Sequence, residues 1–132
     1  MTTDTISDIL TRIRNANERK HRFVIIPINR MSYAIIRILK NKGYIKKFKI
    51  KKIKNRKYYL VYLLYLGIER KRALSKLKRI STPGVRIYKN SKTLPTILNN
   101  LGIAIVSTSK GIMTNLMAKK LGIGGEILCY IW

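Results

Sequence analysis

The sequence has few of the residues on which most enzyme active sites depend. Its 132 residues include one cysteine, one histidine and five acidic residues. A single cysteine, Cys129, excludes an internal disulfide and a zinc site built from several thiolates. His21 stands alone, which removes His-based catalytic triads and His-rich metal sites. Metal-dependent nucleases need clustered carboxylates, and here the acidic residues are scattered. We therefore predict that the protein is not an enzyme, with no catalytic residue, metal, cofactor or small-molecule substrate.

Long apolar runs are also missing. No run reaches the roughly 18 residues that a membrane-spanning helix needs. The first four residues include an acid and do not resemble a signal or transit peptide. Lys and Arg are spread over the whole chain instead of lining one amphipathic helix, which disfavours a membrane-surface protein. We expect no membrane partner.

Positive charge is what the sequence has in excess. There are 29 Lys and Arg residues against 5 Asp and Glu, a formal net charge of +24, and 46% of the residues are hydrophobic. The apolar fraction suffices for a core, and the charge predicts a polyanionic partner, with nucleic acid first. Helical and strand patterns alternate, which disfavours a helix-turn-helix that reads DNA. Hydroxyls and glycines suit the shape and 2′-OH groups of structured RNA.

The hydrophobic periodicity predicts an α+β protein of two small domains. The N-terminal domain, residues 1–66, is expected to run helix-strand-helix-strand-strand. Thr3 and Asn29 are predicted helix caps, Gly43 a left-handed helix end, and the last strand the central one. The predicted elements are helices at 4–18 and 29–42 and strands at 23–28, 44–54 and 58–66, with a turn at 55–56.

Residues 67–76 are predicted to form a basic linker, followed by a C-terminal α+β RNA-binding domain at 77–132. This domain is expected to hold a small sheet and short helices, with Thr114 as a helix cap. Its predicted elements are a turn at 81–84, strands at 85–88 and 101–106, helices at 94–101 and 115–121, and a last strand after Gly125.

Lysines and tyrosines of the N-terminal strands allow two interpretations. Lys47 and Lys49 alternate with Phe48 and Ile50, which predicts one cationic face and one packed face. Tyr59, Tyr62 and Tyr65 could offer a base-stacking platform, but strand parity does not place all three on one face. Core packing is the better interpretation for them.

A run of hydroxyl side chains is the strongest candidate binding feature. Ser107, Thr108 and Ser109 follow an apolar strand and precede Lys110 and Gly111. We expect them at a sheet edge, where hydroxyls donate and accept hydrogen bonds to ribose and bases. The alternative is a strand end whose hydroxyls satisfy their own backbone. From the chemistry of the residues alone, the two interpretations are equally good.

An isolated acid and a helix face complete the candidates. Glu126 follows Gly124 and Gly125 in a basic segment, so it is expected to orient neighbouring donors, to cap the glycine turn, or to do both. Late in the first helix, four polar residues can contact phosphate and ribose or form a solvated face. These residues are Arg12, Arg14, Asn15 and Asn17.

Four ordered blocks of the sequence resemble small-subunit ribosomal protein eight of bacteria and plastids. They are residues 8–16 (DILTRIRNA), 80–88 (ISTPGVRIY), 101–111 (LGIAIVSTSKG) and 120–132 (KLGIGGEILCYIW). The similarity covers essentially the whole chain. The sequence departs from the family pattern at Asn115-Leu116-Met117, where an acid and charged residues are usual, and at Thr82, where a lysine is common.

The resemblance implies a primary binder of small-subunit ribosomal RNA that organises the central domain of that RNA during assembly. It also implies ribosomal protein five as a neighbour and, in bacteria, repression of its own messenger. Frequent Ile, Lys and Asn favour a plastid ribosome, with the bacterial cytoplasm as the alternative. The implied RNA-binding residues are Arg12, Arg14, Asn15, Gly84, Arg86, Tyr88, Ser107, Thr108, Ser109, Lys110, Gly111, Gly124, Gly125 and Glu126.

Overall fold

The amphipathic pattern near the N-terminus folds as helix α1 (Thr5–Glu18). Its buried side chains recur every three or four residues and include Ile6, Ile9, Leu10 and Ile13. The predicted helix is therefore confirmed over this span. The computed structural model describes residues 5–69, 71–95 and 102–132, and the predicted cap at Thr3 lies outside them.

Three antiparallel strands follow in the order β1-β3-β2, with β1 at Phe23–Pro27, β2 at Ile45–Ile53 and β3 at Arg56–Leu63. The central place of β3 confirms the prediction from its apolar sequence. The hairpin turn lies at Lys54 and Asn55, where φ is 48° and 65°, one residue earlier than predicted. Two consecutive positive φ values match a tight turn whose twist suits a hairpin.

Helix α2 (Arg30–Asn41) begins at a reciprocal cap. The Ser32 backbone N–H donates to Asn29 Oδ1 at 2.8 Å, and the Asn29 backbone N–H donates to Ser32 Oγ at 2.9 Å. These bonds satisfy two otherwise unpaired donors and confirm Asn29 as the cap. Gly43, with φ at 81°, turns the chain after the helix as predicted.

The predicted packed face of β2 is only partly correct. Phe48 is half-buried and meets the Tyr59 ring edge-on, with 5.7 Å between centroids. Ile50 is 61% exposed. Because β2 is an edge strand, Ile50 remains at the outer margin of the sheet instead of joining the core.

The structure divides into two compact units, and the first comprises Thr5–Ser75. Near its end, β4 (Tyr65–Leu66) pairs with β5 (Lys71–Arg72), two short strands that the sequence pattern did not reveal. The expected polar-face position of Asn17 is wrong: its side chain is buried, and its Nδ2 donates to the Leu74 carbonyl at 2.7 Å. The proposed linker at 67–76 thus contains β5 and the buried Leu74, and its boundaries stay a prediction.

The second unit, Lys76–Trp132, is organised around its last strand. The elements are β6 (Leu77–Arg79), β7 (Tyr88–Lys89), β8 (Ile103–Thr108), β9 (Gly111–Thr114), α3 (Asn115–Leu121) and β10 (Gly125–Ile131). The sheet order is β6-β10-β8-β9, and β7 also pairs with β10. Buried Ala104, Val106, Ala118 and Ile127 form the middle of the core.

Helix α3 begins and ends as predicted. The Met117 backbone N–H donates to the Thr114 hydroxyl at 3.2 Å, and Gly122 closes the helix with φ at 72°. The predicted strand at 85–88 is wrong in position, since only Tyr88 and Lys89 pair with β10. Of the predicted helix at 94–101, residues 96–101 lie outside the described residues, and Leu94 and Pro95 are not helical. Helices and antiparallel sheets in both units confirm the α+β prediction.

The buried thiol of Cys129 makes stability depend on pH. Burial raises the pKa of Cys129 from 9.0 to about 12, although Arg79 and a hydrogen bond from the Ile105 backbone act in the opposite direction. Folding therefore favours the protonated thiol. The resulting stabilisation is complete below pH 9 and is lost as the pH rises toward 12.

We expect the native protein to lose about 1 kcal/mol more unfolding free energy between pH 9 and pH 10 than Cys129→Ala does. Urea unfolding of both proteins at each pH measures this difference. The other titrating groups contribute equally to both proteins, so their contribution cancels in the comparison. Parallel pH dependences of the two proteins would contradict burial of the thiol.

Candidate nucleic-acid interface

The hydroxyl run lies at the end of the β8–β9 hairpin. Register pairs Ser107 with Ile112 and Thr108 with Gly111, and the chain turns through Ser109 and Lys110. The predicted sheet edge is wrong, because β8 lies between β10 and β9. The sequence pattern missed β9 since only two apolar residues mark it. Gly111, with φ at 113°, permits the return.

Thr108 holds this hairpin turn together. Its hydroxyl donates to the Gly111 carbonyl at 2.7 Å and accepts from the Lys110 backbone N–H at 3.1 Å. No side-chain hydrogen bond of Ser107 or Ser109 is found within the described residues, and Ser109 is exposed. The hydroxyl of Thr108 thus hydrogen-bonds to the backbone of its own turn. The hydroxyls of the two serines stay available for hydrogen bonds to a ligand.

Two glycines allow neighbouring backbones to approach β10 closely. A Cβ at Gly125 would lie 2.1 Å from the Ser107 carbonyl oxygen, and one at Gly124 would lie 2.2 Å from the Lys89 carbonyl oxygen. Both distances are far below any normal carbon contact. Backbone atoms cannot move aside as a flexible side chain can. Gly124 and Gly125 are therefore required for the strand positions, and Lys89 is a neighbour that sequence reasoning missed.

Glu126 lies at the meeting point of three strands. Its strand partners are Ser107 on β8 and Tyr88 on β7. Its Oε2 accepts from Arg86 Nη1 at 3.0 Å, with 15% of the Glu126 side chain and 43% of the Arg86 side chain exposed. The carboxylate thus holds a cation in place, which is the arrangement that an orienting acid requires. Arg86 also neutralises the negative charge of Glu126, so the carboxylate does not repel an approaching polyanion.

A tight turn precedes Arg86. The Thr82 backbone N–H donates to Val85 O at 2.9 Å, and the Val85 N–H donates to Thr82 O at 3.1 Å, around the predicted Pro83-Gly84. Buried Ser81 then accepts from the Ile87 backbone N–H at 2.9 Å. Ser81 was missed, because nothing in the sequence distinguishes it from other serines beside turns.

Exposed groups of several kinds gather around Glu126 in the second unit. Tyr88 is 66% exposed, and Lys89 and Lys110 are exposed as well. The set combines hydroxyls, cations, close backbone and one aromatic ring, which suits hydrogen bonding to ribose and stacking of an unpaired base. We call this surface the hydroxyl corner, and its members are Arg86, Tyr88, Ser107, Thr108, Ser109, Lys110, Gly111, Gly124, Gly125 and Glu126. Gly84 lies in the adjoining turn.

The helix candidates belong to the first unit. Arg12 Nε donates to both Asp8 carboxylate oxygens at 3.1 and 3.2 Å, and its Nη1 donates to Ile25 O at 3.3 Å. Arg14 is half-buried, and Asn15 is exposed. Arg12 and Asn15 line a groove of about 300 Å³ that the sequence did not predict, together with Ala16, His21, Phe23, Val24 and Ile25.

Metal-binding clusters and membrane-spanning helices are both missing from the described ranges. No group of three or more metal-ligating side chains occurs in that part of the chain. Within residues 5–69, 71–95 and 102–132, every helix falls short of the length and apolarity that crossing a membrane requires.

Comparison with known proteins identifies the family. The family model described as Ribosomal protein S8 matches residues 4–132. The small ribosomal subunit protein uS8c of Phaeodactylum tricornutum is 60% identical over the full length of both chains, and that of Thalassiosira pseudonana is 58% identical over the full length of both. The small ribosomal subunit protein uS8 of Thermosynechococcus vestitus is 49% identical over 98% of this chain and 97% of its own. This protein therefore belongs to the ribosomal protein S8 family.

Proposed function

We propose that the protein is a structural constituent of the small ribosomal subunit that binds small-subunit ribosomal RNA directly through its hydroxyl corner. The observation that carries the proposal is the approach of β7 and β8 to Gly124 and Gly125 at the start of β10, which brings Tyr88, Ser107 and the Arg86–Glu126 pair side by side. The relatives are ribosomal proteins and not enzymes, in agreement with the scarcity of catalytic groups.

Affinity and selectivity come from different parts of the molecule. The net charge of +24 supplies attraction to phosphates, and this attraction weakens as salt rises because bound counterions are released. The hydroxyl corner supplies selectivity, since Ser107 and Ser109 can bond 2′-OH groups and base edges and Tyr88 can stack on an unpaired base. An irregular RNA helix with a distorted internal loop offers both kinds of group.

Contacts from the first unit extend this role. We expect Arg12, Arg14 and Asn15 to hold a second RNA segment, and the protein would then organise the central RNA domain during assembly. Ribosomal protein five is the neighbour that we expect. The relatives named uS8c, among them those of Phaeodactylum tricornutum and Thalassiosira pseudonana, support a plastid ribosome, with the bacterial cytoplasm as the alternative.

Ser109→Ala and Lys49→Ala test the division between selectivity and affinity. Ser109→Ala is expected to weaken binding to a looped RNA helix by roughly 1–3 kcal/mol, because an RNA group is left unpaired, and to leave binding to a regular helix unchanged. Lys49→Ala should weaken both RNAs alike and flatten the salt dependence. Filter binding at several salt concentrations measures both. Equal losses on both RNAs from both variants would contradict the proposal.

Gly125→Ala tests the close approach on which the corner depends. The added methyl group meets the Ser107 carbonyl, so we expect a loss of about 1–3 kcal/mol in unfolding free energy together with weaker binding to the looped RNA. Gly84→Ala is the matched control for stability, because nothing lies within 4 Å of its Cβ position. Urea unfolding compares the two. Equal stability of the two variants would show that the approach is unnecessary.

Glu126→Gln tests whether Glu126 orients Arg86 for RNA binding or only repels RNA. The variant removes a negative charge but loses the ion pair with Arg86, so we expect about tenfold less preference for the looped over the regular helix, on the scale of one charge-assisted hydrogen bond. Glu18→Gln is the control, since it changes the net charge equally on an exposed helix residue. If Glu126→Gln tightens binding to both RNAs to the same extent as Glu18→Gln does, the acid only repels RNA.

A further inference from the structure

One face of the first unit's sheet carries two aromatic rings beside lysines. Register pairs Phe23 with Tyr62, and Tyr62 in turn with Lys47. Because side chains alternate between the faces of a strand, these three share one face, and Val24 and Val61 share the other. Val61 is fully buried, so the face of Val61 belongs to the core. We call the face of Phe23, Tyr62, Lys47 and Lys49 the outer face.

The two rings of the outer face differ in what covers them. The Lys47 and Lys49 ammonium groups lie 4.8 and 5.7 Å from the centroid of the Tyr62 ring. The Phe23 ring lies 6.1 Å from that of Tyr62 at 52°, and 45% of Phe23 is exposed. Cations thus occupy part of the surface of Tyr62, while Phe23 keeps open ring surface next to them.

Phe23 also forms part of the groove wall. The groove is shared with Arg12, Asn15 and His21, which supply hydrogen-bonding groups along the same surface. A single exposed apolar residue is ordinary on a protein surface. An exposed ring that borders both a mostly apolar groove with Arg12 in its wall and a pair of lysines is the combination found in proteins that bind single-stranded nucleic acid.

The charge of this region selects a polyanion. Strand β2 carries Lys46, Lys47, Lys49, Lys51 and Lys52 and no acid. In the described part of the first unit the acids are Asp8, Glu18 and Glu69, none of which lies in the three-stranded sheet. Asp8 is paired with Arg12. The lysines of this face therefore attract phosphates, and no acid within the sheet repels them.

We propose that the outer face binds an unpaired, single-stranded stretch of RNA, with a base stacked on Phe23 and phosphates held by Lys47 and Lys49. Phe23 and Lys47 are two strands apart, about 10 Å, so one ligand must run across the strands to reach both. Core packing, the interpretation preferred from the sequence for the tyrosines, describes Tyr59, which is 6% exposed, while Tyr62 is only half-buried. The inference rests on the proposed function, since it adds a second contact for RNA, but it uses residues outside the hydroxyl corner.

The test is the affinity of the full-length protein for an oligouridylate of about ten nucleotides, within the site sizes of single-strand binders. Phe23→Leu should bind about tenfold more weakly with an unchanged salt dependence, because stacking and not charge is lost. Phe23→Tyr should bind like the native protein. Lys47→Gln should weaken binding and flatten the salt dependence. Tyr33→Leu, which alters a 43% exposed ring on α2, is the matched control and should have no effect.

A measurement on the native protein complements the binding experiments on the variants. The chain has two phenylalanines, so NMR can follow the ring resonances of both during titration with oligouridylate. We expect Phe23 to shift and Phe48, which faces Tyr59, to stay in place. Circular dichroism and thermal unfolding show whether each variant is folded.

Three results would overturn the inference. The first is equal binding of oligouridylate by Phe23→Leu and Tyr33→Leu. The second is an unchanged Phe23 resonance at saturation. The third is equally tight, Phe23-dependent binding of polyglutamate, which would make the outer face a surface for acidic protein segments. Failure of the proposed function is a separate result: the native protein would show no preference for a looped over a regular RNA helix, whatever Phe23→Leu does.

Discussion

The candidate interface of the second unit depends on the absence of two side chains. Gly124 and Gly125 allow the start of β10 to lie against the carbonyl groups of Lys89 and Ser107, at distances that any Cβ would forbid. Glu126 follows directly and reaches Arg86, and its strand partners carry a hydroxyl and an exposed tyrosine. Without this approach the same side chains would belong to unconnected strands, because β7 and β8 are separated in the chain and meet only at β10.

Charge sets a second constraint on the molecule. A net charge of +24 favours contact with any polyanion and opposes compaction of the free chain. General attraction of this kind cannot select one RNA over another, since every RNA carries the same phosphates. Selectivity must come from groups that are held in fixed positions. The Thr108 hydroxyl holds the turn between β8 and β9 in place through its two backbone hydrogen bonds. Arg86 is fixed in the same sense by Glu126.

Local chemistry explains which parts of the fold could be predicted. Asn29, Gly43 and Thr114 act at helix ends through their own backbone neighbours, so their roles are visible in the sequence. Short strands such as β9 and the position of β7 depend on pairing with distant residues and were missed or misplaced. The candidate residues were found partly from hydroxyl chemistry and partly from family resemblance. The ion pair of Arg86 with Glu126, forty residues apart, and the groove beside Phe23 require the folded chain.

The central claim is that a basic protein with a positioned hydroxyl corner recognises one irregular RNA helix. The most direct test is the affinity of the native protein for a central-domain helix with its internal loop, and for the same helix with regular pairs in place of the loop, over a range of salt concentrations. We predict a preference of roughly 10³-fold or more that persists as salt rises. Equal affinities that fall together with increasing salt would contradict it, because they would leave charge as the only source of binding.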